Sequence, residues 1–142
     1  MSKHREYPGD ISKLKPGMLV DYFVQQHNAK RRGLHYDLRL GNEKTNLFSW
    51  ATNVHPLKMH ETDKIHAART NIHPHSYGSW EGMIPKGYGH GEVKLDSQGK
   101  AQITNITEKT VSFAIKDKDN NQRYVLIHPN KKDGILMRKR DV

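Results

Sequence analysis

Cysteine is absent from this sequence of 142 residues. Its absence excludes a disulfide framework, a thiolate zinc site and a cysteine nucleophile, and it is compatible with a reducing compartment. The sequence also lacks an apolar run long enough to cross a bilayer, and its first residues lack the apolar segment of a secretion signal. These absences predict a soluble, cytoplasmic protein whose chemistry depends on other residue types.

Acidic residues are few relative to basic ones. The chain has 15 Asp and Glu against 24 Lys and Arg, which gives a formal net charge of +9. Such an excess favours a polyanionic partner over an acidic protein or a neutral metabolite. The length fits one compact domain. We therefore expect a basic, partly ordered arm over residues 1–20 and a single domain over residues 21–142.

The hydrophobic pattern consists of short apolar or alternating runs of strand length, several of them separated by turn residues. These runs lie at residues 22–26, 34–40, 47–52, 91–95, 101–106, 110–116, 123–128 and 134–138. They predict a mainly β protein that folds as an antiparallel β-barrel or a curled sandwich, with one or two short helices. Residues 63–70 are the best candidate for a short helix.

The most informative run is 34–40, which reads Leu-His-Tyr-Asp-Leu-Arg-Leu. Side chains alternate between the faces of a strand, so His35, Asp37 and Arg39 share one face. The other face carries the core positions Tyr36, Leu38 and Leu40. Polar positions of half-buried strands usually hold Thr, Ser or Lys, whereas these three hold an imidazole, a carboxylate and a guanidinium. This composition predicts a metal and phosphate site.

His35 and Asp37 could ligate one ion, because residues two apart on a strand have Cα atoms roughly 6 to 7 Å apart. Nitrogen and oxygen donors without thiolate suit manganese, iron or zinc. His27, in the preceding strand-like segment, is the candidate third ligand. Arg39 lies one step beyond Asp37, where its guanidinium could hold a phosphate bridged to the metal. The structural alternative is a surface strand that carries a salt bridge.

A second cluster lies in the irregular, glycine-rich segment 73–91, which is typical of an active-site loop. Tyr77 can donate a hydrogen bond to an anionic oxygen. A histidine of near-neutral pKa could donate to a phosphate or protonate a leaving oxygen, which makes His73 a candidate partner of Arg39. Alternatively, Tyr77 and Trp80 are core aromatics. The glycines match neither a P-loop nor a dinucleotide fingerprint.

With these motifs, the sequence resembles the 3′-phosphoesterase domain of bacterial DNA ligase D, a family that also includes stand-alone proteins. The resemblance covers nearly the whole chain after the predicted arm. Its motifs are Phe23-Val-Gln-Gln-His27, His35-Tyr-Asp37-Leu-Arg39-Leu, Ser49-Trp50-Ala51, Asp63-Lys64, His73-Pro74 with Tyr77, Glu81-Gly82-Met-Ile-Pro85 and Gly134-Ile-Leu-Met-Arg138-Lys-Arg-Asp141.

The resemblance implies a small β-barrel that uses manganese, or another divalent metal such as cobalt or zinc. The implied activity removes 3′-terminal ribonucleotides and 3′-phosphates from primer strands. The implied metal ligands are His27, His35 and Asp37, and the implied phosphate contacts are Arg39, His73 and Tyr77. The expected partners are DNA or a primer-template with such an end, together with a separate ATP-dependent DNA ligase and a primase-polymerase of non-homologous end joining.

The sequence also departs from the family pattern. The spacing from His27 to His35 is two residues longer than usual, with the basic residues 30–32 in the connection. The loop 87–91 is one residue shorter, and the family's lysine after the tryptophan has no counterpart near Val54. These departures predict a different rate or substrate preference.

Two alternatives from other functional classes remain open. A His-x-Asp pair with a distant histidine is also the facial triad of non-haem iron oxygenases, although the basic charge and the second cluster argue against that chemistry. A non-catalytic nucleic-acid binding module would use the same basic charge, with the histidines in structural roles.

Overall fold

The computed structural model describes residues 11–87, 90–116 and 121–141. Within them, one antiparallel sheet contains every strand. The strands are β1 (Leu19–Ala29), β2 (Gly33–Asn42), β3 (Asn46–Thr52), β4 (Lys64–His73), β5 (Gly82–Ile84), β6 (Gly91–Ile106), β7 (Thr110–Lys116), β8 (Asn121–Ile127) and β9 (Gly134–Arg138). The short helical elements are the 3-10 turns Ile11–Lys13, Pro56–Lys58 and His75–Ser79.

The sheet closes on itself as a ring. Its strand order is β1-β2-β3-β4-β9-β8-β7-β6, and β6 pairs with β1 as well. The length of β6 makes this closure possible, because residues 91–102 pair with β1 and residues 101–106 pair with β7. The short strand β5 pairs with the beginning of β6. The closure places β1 and β2, which carry the predicted ligands, inside a continuous sheet.

Alternate residues of the ring strands form the hydrophobic core. In β1 these are Tyr22 and Val24, and in β2 they are Leu38 and Leu40, all at most 1% exposed. Their neighbours in sequence point to the outer face, because side chains alternate along a strand. The outer face of β1 and β2 therefore presents the polar residues of the predicted site.

The helical content differs from the sequence-based expectation. The prediction of a mainly β, antiparallel fold is confirmed, and all helical elements of the described residues are 3-10 turns. The prediction of a helix over residues 63–70 is wrong, because residues 64–70 belong to β4. Its alanines favour a helix, but pairing with β3 on one edge and β9 on the other overrides that preference. No helix in the described ranges is long and apolar enough to span a membrane.

Part of the predicted basic arm is attached to the ring. Residues 1–10 lie outside the described residues. Leu14 is 1% exposed and joins the core. The Gly17 amide donates to the Ile103 carbonyl at 2.7 Å, and the Ile103 amide donates to the Met18 carbonyl at 2.8 Å. Residues 14–18 thus pack against β6, and the division into an arm and a single domain stays a prediction.

Leu38→Ala should destabilise the protein by about 2 to 5 kcal/mol, the range for truncating a buried leucine. Leu38 is 0% exposed, whereas Leu34 on the same strand is 51% exposed. Leu34→Ala is therefore a matched control and should change the free energy of unfolding by less than about 0.5 kcal/mol. Urea denaturation of both variants measures the difference. Equal destabilisation by the two substitutions would contradict the burial of Leu38 in the core.

Candidate functional site

The candidate site lies on the outer face of β1, β2 and β3. Gln25, Asp37 and Ala51 stand side by side in the register of these strands, and the preceding or following residues Val24, Leu38 and Trp50 face the core. A cavity of about 990 Å³ opens over this face. Its lining includes every residue predicted for the site, namely His27, His35, Asp37, Arg39, His73 and Tyr77.

Three potential metal ligands meet at the β1–β2 hairpin. His27 and His35 are directly opposite each other in the register, and their ring centroids are 4.7 Å apart. The Asp37 carboxylate lies 3.7 Å from His27 Nδ1 and 3.7 Å from His35 Nε2. One ligand atom from each residue lies within 4.8 Å of the other two. This arrangement could hold one divalent ion.

The additional residues between the two histidines lie in the turn between β1 and β2. Ala29 pairs with Gly33, so residues 30–32 form the connection between β1 and β2. Gly33 has a φ of +86°, a conformation that glycine adopts at little cost. Directly opposed residues of an antiparallel pair have Cβ atoms about 4.5 to 5.5 Å apart. The additional residues therefore extend the turn and leave His27 facing His35.

The protonation states of the ligands suit a metal. His27, His35 and Asp37 are 7%, 5% and 6% exposed. Burial acts to raise the pKa of Asp37, but its hydrogen bond with His27 and the charge of Arg39 hold that pKa below the usual value. Burial lowers the pKa of His35. Since metals bind ionised carboxylate and neutral imidazole, both shifts favour metal binding.

A backbone contact orients His35. Its Nδ1 lies 3.3 Å from the Gly33 carbonyl oxygen, which is a suitable acceptor. If Nδ1 carries the proton and donates to this oxygen, the lone pair is on Nε2, the nitrogen that faces Asp37. Metal-ligating histidines commonly have such a hydrogen bond on the other ring nitrogen. The tautomer required for ligation is thus the one that the backbone favours.

Arg39 is buried beside the ligands, and each of its three nitrogens has a partner. Nε donates to Gln25 Oε1 at 2.6 Å, and one Nη donates to Ser49 Oγ at 2.7 Å. The other Nη lies 3.5 Å from Asp37 Oδ2. A guanidinium has five N–H donors, so these contacts leave one N–H on each Nη. The remaining pair could bind two oxygens of one phosphate.

Gln25 connects Arg39 to the segment that carries Tyr77. Its Oε1 accepts from Arg39, and its Nε2 donates to the Tyr77 carbonyl at 2.7 Å and to the Trp80 carbonyl at 2.9 Å. Gln25 is 0% exposed, so loss of its amide would leave buried polar groups unsatisfied. One side chain therefore fixes both a guanidinium and a backbone segment.

Gln25 and Ser49 lie within two of the family motifs, but the sequence patterns assign neither residue a role in the site. The position of each residue on its strand nevertheless indicates that it faces the site. Gln25 shares the outer face of β1 with His27, and Ser49 is directly opposite Arg39 on β3. A polar residue buried next to a buried cation is expected to pair with it, and this rule would have found both residues once the register was known.

The His75–Ser79 turn, which carries Tyr77, packs directly on β1. A Cβ atom at Gly78 would lie 2.4 Å from the Phe23 ring, so the close approach requires glycine. His75 Nε2 lies 2.7 Å from Asp21 Oδ2 on the same strand. These contacts, together with those of Gln25, hold the turn against the outer face of the ring.

Aromatic rings form a stack beside Arg39. The ring centroids of His73 and Tyr77 are 4.3 Å apart and those of Tyr77 and Trp80 are 5.4 Å apart. The Arg39 guanidinium carbon lies 4.9 Å from the centroid of Tyr77. Trp80 is 37% exposed, and neither Tyr77 nor Trp80 belongs to the core. The alternative of two core aromatics is therefore wrong for the described structure.

The pKa of His73 differs from the near-neutral value that the sequence suggested. Burial, assisted by the charge of Arg39, lowers its pKa to about 4. His73 is then neutral near pH 7 and has one N–H donor. Burial raises the pKa of Tyr77, so its hydroxyl stays protonated and can also donate. Both side chains thus offer hydrogen bonds without a full charge.

Comparison with known proteins finds similarity to one family domain. The family model described as DNA Ligase D 3′-phosphoesterase domain matches residues 25–128, a range that contains all six predicted site residues. Two similar proteins are both named multifunctional non-homologous end joining protein LigD. The protein from Pseudomonas aeruginosa is 35% identical in a 118-residue alignment that covers 79% of this chain. The protein from Mycolicibacterium smegmatis is 33% identical in a 126-residue alignment that covers 84% of this chain.

The two relatives are much longer than this chain. The matched residues make up 14% of the Pseudomonas protein and 15% of the Mycolicibacterium protein. The similarity is therefore to one part of each multifunctional protein.

Proposed function

Because the chain belongs to the DNA ligase D 3′-phosphoesterase domain family, we propose that it is a metal-dependent phosphoesterase that processes the 3′ ends of DNA strands. Its substrates are primer strands that end in a ribonucleotide or a 3′-phosphate, and its role is end processing in non-homologous end joining. One observation carries the proposal. The buried group His27, His35 and Asp37 stands beside Arg39 in one cavity, which combines a candidate metal site with a phosphate-binding cation.

The donor set fits a divalent transition metal, and we propose Mn²⁺ from the family resemblance. Two imidazoles and one carboxylate, without sulfur, also suit Co²⁺ or Zn²⁺. His35 Nε2 is available for ligation when Nδ1 donates to the Gly33 carbonyl, and the ionised Asp37 carboxylate is a suitable ligand. When bound, the ion supplies Lewis-acid stabilisation of negative charge on the phosphate.

The residues around the ligands orient the phosphate. Arg39 offers one N–H on each Nη, which can bind two phosphate oxygens and stabilise charge that develops in the transition state. His73 and Tyr77 each donate one hydrogen bond from a neutral group. Because the rings of His73 and Tyr77 stack, their donors are held in a fixed relation to each other and to Arg39. All three are proposed as catalytic residues.

Two ester bonds are cleaved in the proposed reaction. In the first step water attacks phosphorus, the bond to the 5′ oxygen of the terminal ribonucleoside breaks, and that oxygen takes a proton, which leaves a 3′-phosphate on the strand. In the second step water attacks phosphorus, the bond to the 3′ oxygen breaks, and that oxygen takes a proton to give a 3′-hydroxyl. The second step needs no protein nucleophile. The hydroxyl product is the end that polymerases extend and ligases seal, so an ATP-dependent DNA ligase and a primase-polymerase are the proposed partners.

The direct test uses a 5′-labelled primer that ends in one ribonucleotide and is annealed to a template. With Mn²⁺, we expect the strand to lose its terminal nucleoside, then its 3′-phosphate, whereas EDTA should prevent both steps. Parallel reactions with Co²⁺ and Zn²⁺ rank the metals. An unchanged primer with all three metals, together with intact binding, would favour the nucleic-acid binding module instead. Oxygen consumption with iron and a keto acid would favour an oxygenase.

Gln25→Leu should lower turnover about 10- to 100-fold, the range for residues that orient catalytic groups through hydrogen bonds. Leucine keeps the volume but removes the bonds to Arg39 and to the backbone at Tyr77 and Trp80. The loss should fall on kcat more than on KM, because the charge of Arg39 remains. The control is Gln98→Leu at an exposed position on β6. Equal kcat values for the two variants would contradict a positioning role for Gln25.

A further inference from the structure

The opening of the cavity is basic on two sides. Arg31 and Arg32, from the turn between β1 and β2, line one side, and Lys86, from the segment after β5, lines another. All three side chains are exposed. Among the described lining residues, Asp37 is the one acidic group, and it already lies beside Arg39. We use the term basic mouth for Arg31, Arg32 and Lys86.

The turn between β1 and β2, which carries Arg31 and Arg32, is held against the start of β6 by its backbone. The Lys30 amide donates to the His90 carbonyl at 2.8 Å, which ties the β1–β2 turn to the residue before β6. A Cβ atom at Gly91 would lie 2.1 Å from the Asn28 carbonyl oxygen, so β1 and β6 are in close contact at this point. The basic turn is therefore held next to the cavity by main-chain contacts.

The distribution of charge indicates more than one phosphate in the ligand. At the base of the cavity, a divalent ion, Arg39 and Asp37 together would carry a charge of +2, which matches one terminal phosphate dianion. The basic mouth adds three positive charges that this phosphate does not need. The cavity volume of about 990 Å³ is also at the upper end of the range for small-molecule sites, about 300 to 1,000 Å³.

We propose that the basic mouth binds the backbone phosphates next to the reacting 3′ end, so that the enzyme selects a polynucleotide strand over a mononucleotide with the same terminal phosphate. This inference rests on the proposed phosphoesterase function. Lys and Arg contacts to successive phosphates release counterions, and this release makes binding salt-dependent. The lengthened β1–β2 turn thus acts as a specificity element of the site.

The test compares the parent with the double variant Arg31→Gln/Arg32→Gln. One substrate is a DNA oligonucleotide with a 3′-phosphate, and the other is thymidine 3′-monophosphate, which has the scissile phosphate alone. We expect the double variant to raise KM for the oligonucleotide about tenfold at low salt. The ratio of kcat/KM for the oligonucleotide to kcat/KM for thymidine 3′-monophosphate should therefore be smaller in the double variant than in the parent. Lys86→Gln should give a smaller change in the same direction.

The matched control is Lys44→Gln/Lys109→Gln, which removes two exposed charges that do not line the cavity. It should behave as the parent does. In the binding of a labelled oligonucleotide, the slope of log affinity against log salt should become shallower by about 1.4 in the mouth variant, since single strands contribute about 0.7 per phosphate contact. Equal KM values and equal slopes for the two double variants would overturn the inference.

A failure of the proposed phosphoesterase function can be distinguished from a failure of the inference about the basic mouth. If the parent cleaves neither substrate with any metal, the phosphoesterase proposal fails. The salt dependence of binding, measured with an oligonucleotide that ends in a 3′-hydroxyl, still tests the basic mouth in that case. A shallower slope for Arg31→Gln/Arg32→Gln than for the control supports strand binding there, and identical slopes contradict it.

Discussion

Alanine at position 35 should abolish metal-dependent turnover, with a loss of more than about 1000-fold, because it removes one of three proposed ligands. His35 points away from the core of the ring, so the variant should keep its fold. Calorimetric titration with Mn²⁺ should show a matching loss of affinity. Asp37→Ala should abolish turnover as well, but it also leaves the buried Arg39 without its carboxylate and should therefore lower stability.

His60→Ala is the control for this substitution. The His60 side chain is 92% exposed, and it does not line the cavity. Its removal should change neither Mn²⁺ affinity nor turnover. If His35→Ala retains the parent's Mn²⁺-dependent turnover, the ligand assignment is wrong, and the convergence of the three side chains has another explanation.

Strand periodicity was sufficient to predict the two faces of β2. The alternation at residues 34–40 is fixed by backbone geometry alone, and the structure places Leu38 in the core and Asp37 in the cavity. The antiparallel hairpin then brings His27 opposite His35 through a local turn. These features depend on residues close together in sequence, which is why short patterns were sufficient to predict them.

Features that depend on distant residues could not be predicted in this way. Gln25 binds the Tyr77 backbone 52 residues away, and this contact exists because the His75–Ser79 turn packs on β1. The strand character of β4 depends on pairing with β3 and β9, whereas its local composition favoured a helix. Closure of the ring by β1 and β6 likewise joins segments far apart in sequence. Tertiary pairing, rather than local preference, decides each of these cases.

Arg39→Lys should lower kcat about 100- to 1000-fold, the range for loss of a hydrogen-bond donor that stabilises transition-state charge. Lysine keeps the charge, but it lacks the planar guanidinium that binds Gln25, Ser49 and Asp37 simultaneously and still offers two donors to the cavity. DNA affinity should change much less, because exposed Lys and Arg residues supply most of the nonspecific attraction. Turnover of the labelled primer and equilibrium binding of the same duplex measure the two effects.

The control is Arg140→Lys, at an exposed position outside the cavity, which should change neither property. The informative quantity is the ratio of the two losses in Arg39→Lys. A general electrostatic role predicts that kcat stays near the parent value, since the positive charge is retained. A role in binding two phosphate oxygens through the planar guanidinium predicts a loss of kcat that far exceeds the loss of DNA affinity. Equal turnover for Arg39→Lys and the parent would therefore reduce Arg39 to a generic charge and favour the binding-module alternative.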